Sequence, residues 1–172
     1  LIDVITPKTK ALILNTPSNP TGMVYTEEEI REIADRCVEK DIFVISDEIY
    51  EHINFVGEHE SIAQFDDIRR RCVIINGVSK GYAMTGWRIG FLAAPKELVS
   101  ELHKLHQYNI ICAPIFSQYG AIEGLRNGWA EVEKMRVSYR QRRNLMYKAF
   151  NDMGLPVVEP QGAFYMFPDI RS

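Results

Sequence analysis

Reactive and hydrogen-bonding side chains cluster where the apolar runs of this chain stop. Ala11-Leu12-Ile13-Leu14 runs into Asn15-Thr16-Pro17-Ser18-Asn19-Pro20-Thr21-Gly22, and Ile42-Phe43-Val44-Ile45 runs into Ser46-Asp47-Glu48-Ile49-Tyr50. Val73-Ile74-Ile75 runs into Asn76-Gly77-Val78-Ser79-Lys80, with Arg88 further along. A lysine amine such as that of Lys80 condenses with carbonyls to form Schiff bases. A carboxylate such as Asp47, held against a pyridine nitrogen, keeps that nitrogen protonated and makes the ring an electron sink. A lysine together with an acid for the ring nitrogen is the binding logic of pyridoxal 5'-phosphate. The phenol of Tyr50 and the amide of Asn19 suit the ring's phenolate oxygen. Ser79 and Arg88 suit a phosphate, the guanidinium supplying a two-pronged, charge-assisted contact.

These groups need a scaffold that brings strand ends together. Near-continuous apolar strands at 11–14, 42–45, 73–75 and 90–94, the first two separated by a helix, indicate an α/β sheet covered on both faces. In open α/β sheets the ligand crevice lies outside the carboxyl ends of the strands, which is where the polar residues fall. Thr26 and Glu29 have capping-box spacing and open a helix with Ile30, Ile33, Ala34, Cys37 and Val38 on one face. Further helices are expected after Pro95 (Leu98, Val99, Leu102 and Leu105), after Pro114, and from Trp129 to about Met153. The last places Val132, Met135, Tyr139, Met146, Phe150 and Met153 on one side and stops at Gly154. Val157-Val158 and Ala163–Phe167 read as two short strands around Pro160-Gln161-Gly162.

Composition narrows the function classes. The chain has 172 residues, 46% hydrophobic and 25% charged, with a formal net charge of −3. That is an ordinary globular mix, ample for a core. It offers no basic field for a nucleic acid and no apolar run near the roughly 20 residues that span a bilayer. The odd cysteine count, Cys37, Cys72 and Cys112, fits reduced, buried or partly buried structural thiols in the cytoplasm. No metal site is expected, because His103 and His106 share a predicted helix with no further ligand nearby. His52 and His59 read as loop residues. Arg136, Arg140, Arg142, Arg143 and Lys148 read as a solvated helix face with intrahelical pairs.

Taken together, the three segments resemble the class I/II, fold-type I, pyridoxal-phosphate-dependent aminotransferases. Asn15–Gly22 resembles their N-x-x-x-NPTG signature, Asp47–Tyr50 their D-x-[AI]-Y strand end, and Ser79–Arg88 their S-K…R segment. The resemblance implies that Lys80 forms the Schiff base and shuttles the substrate α-proton. It implies that Asp47 pairs with the pyridine nitrogen and that Ile49 packs on the ring. Tyr50 and Asn19 would bond the phenolate oxygen, Asn19 would also face the substrate carboxylate, and Ser79 and Arg88 would hold the phosphate. Where many relatives carry a serine, this chain has Gly77.

The implied reaction moves an amino group from an L-amino acid to a 2-oxo acid, in a homodimer whose Cys112-Ala113-Pro114 segment approaches the neighbour's site. The alternatives are another fold-type I enzyme, of the C–S lyase or cyclopropane-forming synthase type, and a truncated non-catalytic domain. Residues 1–128 would be a partial large domain with a mainly parallel sheet. Residues 129–172 would be an interdomain helix and the start of a small α/β domain. The resemblance also implies a glycine-rich phosphate loop and a ring-stacking aromatic before Leu1, and a carboxylate-binding arginine beyond Ser172. The chain alone is therefore expected to be a poor catalyst.

Overall fold

The computed structural model describes residues 4–171. Four strands, β1 (Ala11–Asn15), β2 (Phe43–Asp47), β3 (Cys72–Gly77) and β4 (Gly90–Ala93), form one sheet in the order β1-β2-β3-β4. The first three are parallel, with Asn15 opposite Asp47 and Asp47 opposite Ile75. β4 returns antiparallel to β3, pairing Gly77 with Gly90. This is the α/β, mostly parallel sheet expected from the apolar runs, and its register sets two of the chemistry-bearing strand ends side by side.

Helix α1 (Glu27–Glu39) connects β1 to β2. Thr26 Oγ1 accepts from the Glu29 amide at 3.2 Å, and Glu29 Oε2 accepts from the Thr26 amide at 2.8 Å. This reciprocal cap satisfies two otherwise orphaned donors. Glu27, Glu28 and Glu29 also place negative charge at the positive end of the helix dipole. Ile30, Ala34 and Cys37 then pack against Leu14, Ile42, Val44, Ile62, Ile68 and Cys72. Each large aliphatic side chain fully buried there contributes about 1.5–3 kcal/mol.

Three more helices follow, α2 (Lys96–Asn109), α3 (Ile115–Asn127) and α4 (Trp129–Asp152). Pro95 and Pro114 stand at the N-caps of α2 and α3, and Gly154, at φ +75°, ends α4 in the left-handed region. No helix among the described residues is long and apolar enough to cross a membrane.

Several expectations need correction. Residues 157–158 and 163–167 form no strands; the segment has only isolated bridges, Asn54 with Gly162 and Val157 with Pro168. Ala163 sits at φ 56°, which breaks the extended run, and its amide turns to the Ile53 carbonyl at 2.7 Å. The apolar side of α4 is buried only at Val132, while Met146 and Met153 are exposed. Cys112 is exposed, unlike buried Cys37 and Cys72. The basic residues of α4 do more than pair along the helix. Arg136 and Arg140 donate to the Asn54 and Phe55 carbonyls, and Arg143 reaches Glu159 and the Pro160 carbonyl.

Candidate active site

Strand alternation explains why neighbouring acids on β2 have different surroundings. Val44, Ser46 and Glu48 are all buried, as the period of two predicts for one face. Asp47, between them, points to the other side and is half-buried. Its Oδ1 accepts from the Ile49 amide at 3.3 Å, the one hydrogen bond to this carboxylate among the described residues. The Asp47 backbone is held from the neighbouring turn: Asn15 Nδ2 and the Thr16 amide both donate to its carbonyl, at 3.1 and 3.2 Å. Asn15 Oδ1 in turn accepts from the Asn19 amide at 2.7 Å, so one side chain ties the Asn15–Gly22 turn to the end of β2.

Tyr50 lies three residues beyond Asp47 and is 3% exposed. Its hydroxyl lies 2.5 Å from that of Tyr165, to which Asn19 Nδ2 donates at 3.4 Å. Burial pushes the Tyr50 phenol well above its ordinary value; the Tyr165 hydroxyl and the charge of Asp47 push it the same way, and the Asn19 amide pulls back. Tyr50 therefore stays a neutral phenol, able to donate. The Lys80 amine lies 5.9 Å from the centre of the Tyr50 ring and 5.8 Å from that of Phe164. Among the described residues the Lys80 amine makes no hydrogen bond or ion pair, so a half-buried residue carries an unpaired amine over an aromatic pair. Ile49 packs against the cluster of Tyr50, Ile53, Phe55 and Ala163.

The structure thus brings Lys80, Tyr50, Asn19, Asp47 and Ile49 to one rim of the sheet. Ser79 is adjacent and half-buried. Arg88 is not joined to this group: it is exposed, and its guanidinium donates to the Thr85 carbonyl at 2.9 Å. Its link to the site runs through the loop, where Thr85 Oγ1 donates to the Ser79 carbonyl at 2.7 Å. At Gly77 a Cβ would stand 3.0 Å from Gly90 Cα and 3.1 Å from the Ile89 carbonyl oxygen. The close approach of β4 leaves a side chain little room at a position where the resemblance led to serine.

Two features were not read from the sequence. Tyr165 is one; a phenol three residues past the Pro160-Gln161-Gly162 turn was the available signal. The other is the pocket around Glu48, where Ser46 and Ser61 hydroxyls donate to Oε1 and His59 Nε2 meets Oε2, each at 2.9 Å. The alternation Val44, Ser46, Glu48 was its signal.

The donor set fits pyridoxal 5'-phosphate. A carboxylate with one weak partner, an unpaired amine and a neutral phenol are what its pyridine nitrogen, aldehyde and phenolate oxygen call for. Arg88 spends one guanidinium nitrogen on the Thr85 carbonyl and keeps further N–H donors for a phosphate.

Comparison with known proteins agrees. The sequence pattern of the aminotransferase class I and II family matches residues 1–172. The chain is 50% identical over 171 residues to an aromatic-amino-acid aminotransferase of Thermococcus litoralis and 49% identical over 171 residues to an aspartate aminotransferase of Pyrococcus abyssi. Each match covers 98% of this chain and 44% of the relative. The crystal structure of an aromatic aminotransferase from Pyrococcus horikoshii superposes with a TM-score of 0.96 at 48% identity, covering 99% of this chain and 46% of that one. The chain therefore spans less than half the length of these relatives.

Proposed function

The chain belongs to the aminotransferase class I and II family, and we propose that it supplies the cofactor-anchoring part of an enzyme that moves an amino group from an L-amino acid to a 2-oxo acid. The observation that carries this reading is the unpaired amine of Lys80 above the Tyr50 ring, on the same rim as the Asp47 carboxylate.

Pyridoxal 5'-phosphate, when bound, supplies a protonated ring that takes up the electron pair left by loss of the substrate α-proton. Lys80 would hold the aldehyde carbon and, once free, move the proton at the substrate α-carbon, a role typically worth about 10²–10⁴-fold. Asp47 would keep the pyridine nitrogen protonated. Tyr50 and Asn19 would donate to the phenolate oxygen, with Asn19 also facing the substrate carboxylate. Ile49 would pack against the ring, and Ser79 and Arg88 would take the phosphate.

Residues 1–128 belong to the large domain in this reading, and residues 129–172 to the interdomain helix and the start of the small one. The working form is a cytoplasmic homodimer, with the exposed Cys112-Ala113-Pro114 segment directed to the partner. Aspartate and aromatic amino acids, the donors in the relatives' names, are the first substrates to assay in a protein of the relatives' length.

The direct test is borohydride reduction of the chain after incubation with pyridoxal 5'-phosphate, followed by peptide mass mapping. The expected result is one label, on Lys80. A label absent from Lys80, or spread over the other lysines, would overturn the assignment.

A further inference from the structure

We propose that Tyr165 is a positioning residue for Tyr50, forming with it a two-phenol relay whose single free hydrogen is offered to one anionic oxygen. The inference rests on the reading above, which makes Tyr50 the donor to the cofactor's phenolate oxygen.

Hydrogen counting carries the argument. Each phenol has one hydrogen and an oxygen that accepts. One hydrogen is used between Tyr50 and Tyr165, at 2.5 Å. Asn19 Nδ2 donates to the Tyr165 oxygen at 3.4 Å and consumes no phenolic hydrogen. The pair is therefore left with one hydrogen to give, whichever phenol donates to the other. With no anion bound, either phenol can give its hydrogen to the other. When an anionic oxygen sits at Tyr50, the Tyr50 hydrogen turns outward and Tyr165 turns its own hydrogen into the Tyr50 oxygen. The Tyr50 donation is then reinforced from behind, as in other hydrogen-bond chains. The neighbouring charged groups are Asp47, which opposes ionisation of Tyr50, and the Lys80 amine over its ring.

The backbone holds Tyr165 in place for this role. The Gln161 and Gly162 amides both donate to the Gly22 carbonyl, at 2.8 and 2.9 Å. The Phe55 amide donates to the Gln161 carbonyl at 2.8 Å, and the Ala163 amide to the Ile53 carbonyl at 2.7 Å. A Cβ on Gly162 would stand 2.6 Å from Pro17 Cβ, so this segment packs directly on the turn that carries Asn19. Residues 161–163 are thus clamped between the Asn15–Gly22 turn and the segment after Tyr50. Tyr165, two residues on, meets one side chain from each.

The test has two arms, each using Tyr165→Phe with Tyr50→Phe as reference. In the cofactor-free chain, NMR with tyrosine labelled at the ζ carbon follows the Tyr50 phenol, assigned by its loss in Tyr50→Phe. Tyr165→Phe is expected to move the pH at which Tyr50 ionises, because the partner that exchanges hydrogens with its oxygen is gone. In the chain loaded with pyridoxal 5'-phosphate, the absorbance of the bound cofactor is titrated with pH. Weaker donation to the phenolate oxygen disfavours its deprotonated form, so Tyr165→Phe should raise the midpoint by roughly threefold to fivefold in proton affinity. Tyr50→Phe should raise it further. An unchanged midpoint in Tyr165→Phe beside a shifted one in Tyr50→Phe would overturn the relay and leave the Lys80 reading intact. If the wild-type chain takes up no cofactor at Lys80, the functional reading fails, and the cofactor-free arm still decides the relay: an unmoved Tyr50 titration refutes it.

Discussion

The two halves of the sheet differ in how well they are closed. On the β1–β2 side, α1 and the 62–68 segment seal a core in which Ile30, Ile42, Val44, Ile62 and Ile68 are almost completely buried. On the β4 side all four strand residues are exposed and α2 buries none of its side chains. Tyr108 is 92% exposed and Ile111 78%. The difference lies in what stands opposite each apolar face, since both α1 and α2 have helical apolar spacing. It teaches that the Asp47 acid and the Asn19 amide are set by contacts within this chain. Ser79, Lys80 and Arg88 lie at the border between the two halves.

The largest contrast to test is chemical. Burial pushes the Cys72 thiol up to about 12, with the charge of Glu48 adding to it, and burial raises Cys37 as well. Both lie in the closed half, whereas Cys112, between α2 and α3, is exposed. Alkylation near pH 8, followed by mass mapping, should modify Cys112 roughly a thousandfold faster than Cys72. Comparable rates would mean that the sealed side opens readily.

Urea unfolding sharpens the same contrast in free energy. Ile30→Ala, at a fully buried position, should cost about 4 kcal/mol, and Ile111→Ala should stay within about 0.5 kcal/mol of the parent. Equal costs would erase the distinction between the halves.

A somewhat smaller loss is expected at the buried acid of the closed half. His59→Ala removes one of the partners of Glu48, whose side chain is 3% exposed, and should cost about 3 kcal/mol. His59→Gln, which keeps a donor, should recover part of it. A cost below about 1 kcal/mol would show that water reaches Glu48.

Legibility in the sequence followed the same division. The Thr26 cap and the buried stripe of α1 were readable because the helix packs on strands adjacent to it in the chain. The stripes on α2 and α4 were readable as helices, but their burial was not, since periodicity says nothing about an opposing surface. The strand ends were readable because a buried parallel strand that stops in polar residues marks a rim. Tyr165 was hidden because Ala163–Phe167 has the pattern of a strand, and the left-handed Ala163 that breaks it has no propensity signature. The Glu48 pocket was hidden because its partners, Ser46, His59 and Ser61, come from both a strand and a loop. Arg88 shows the opposite case: its residue type suited a phosphate, yet a loop carbonyl holds it.

The antiparallel return of β4 has a mechanical meaning. A parallel neighbour would have required a crossover helix between β3 and the next strand. Here Gly77 faces Gly90 directly, so residues 78–89 leave the sheet and rejoin it at one place. Lys80 therefore rides on a handle riveted at both feet, its two ends held together by the pairing of Gly77 with Gly90.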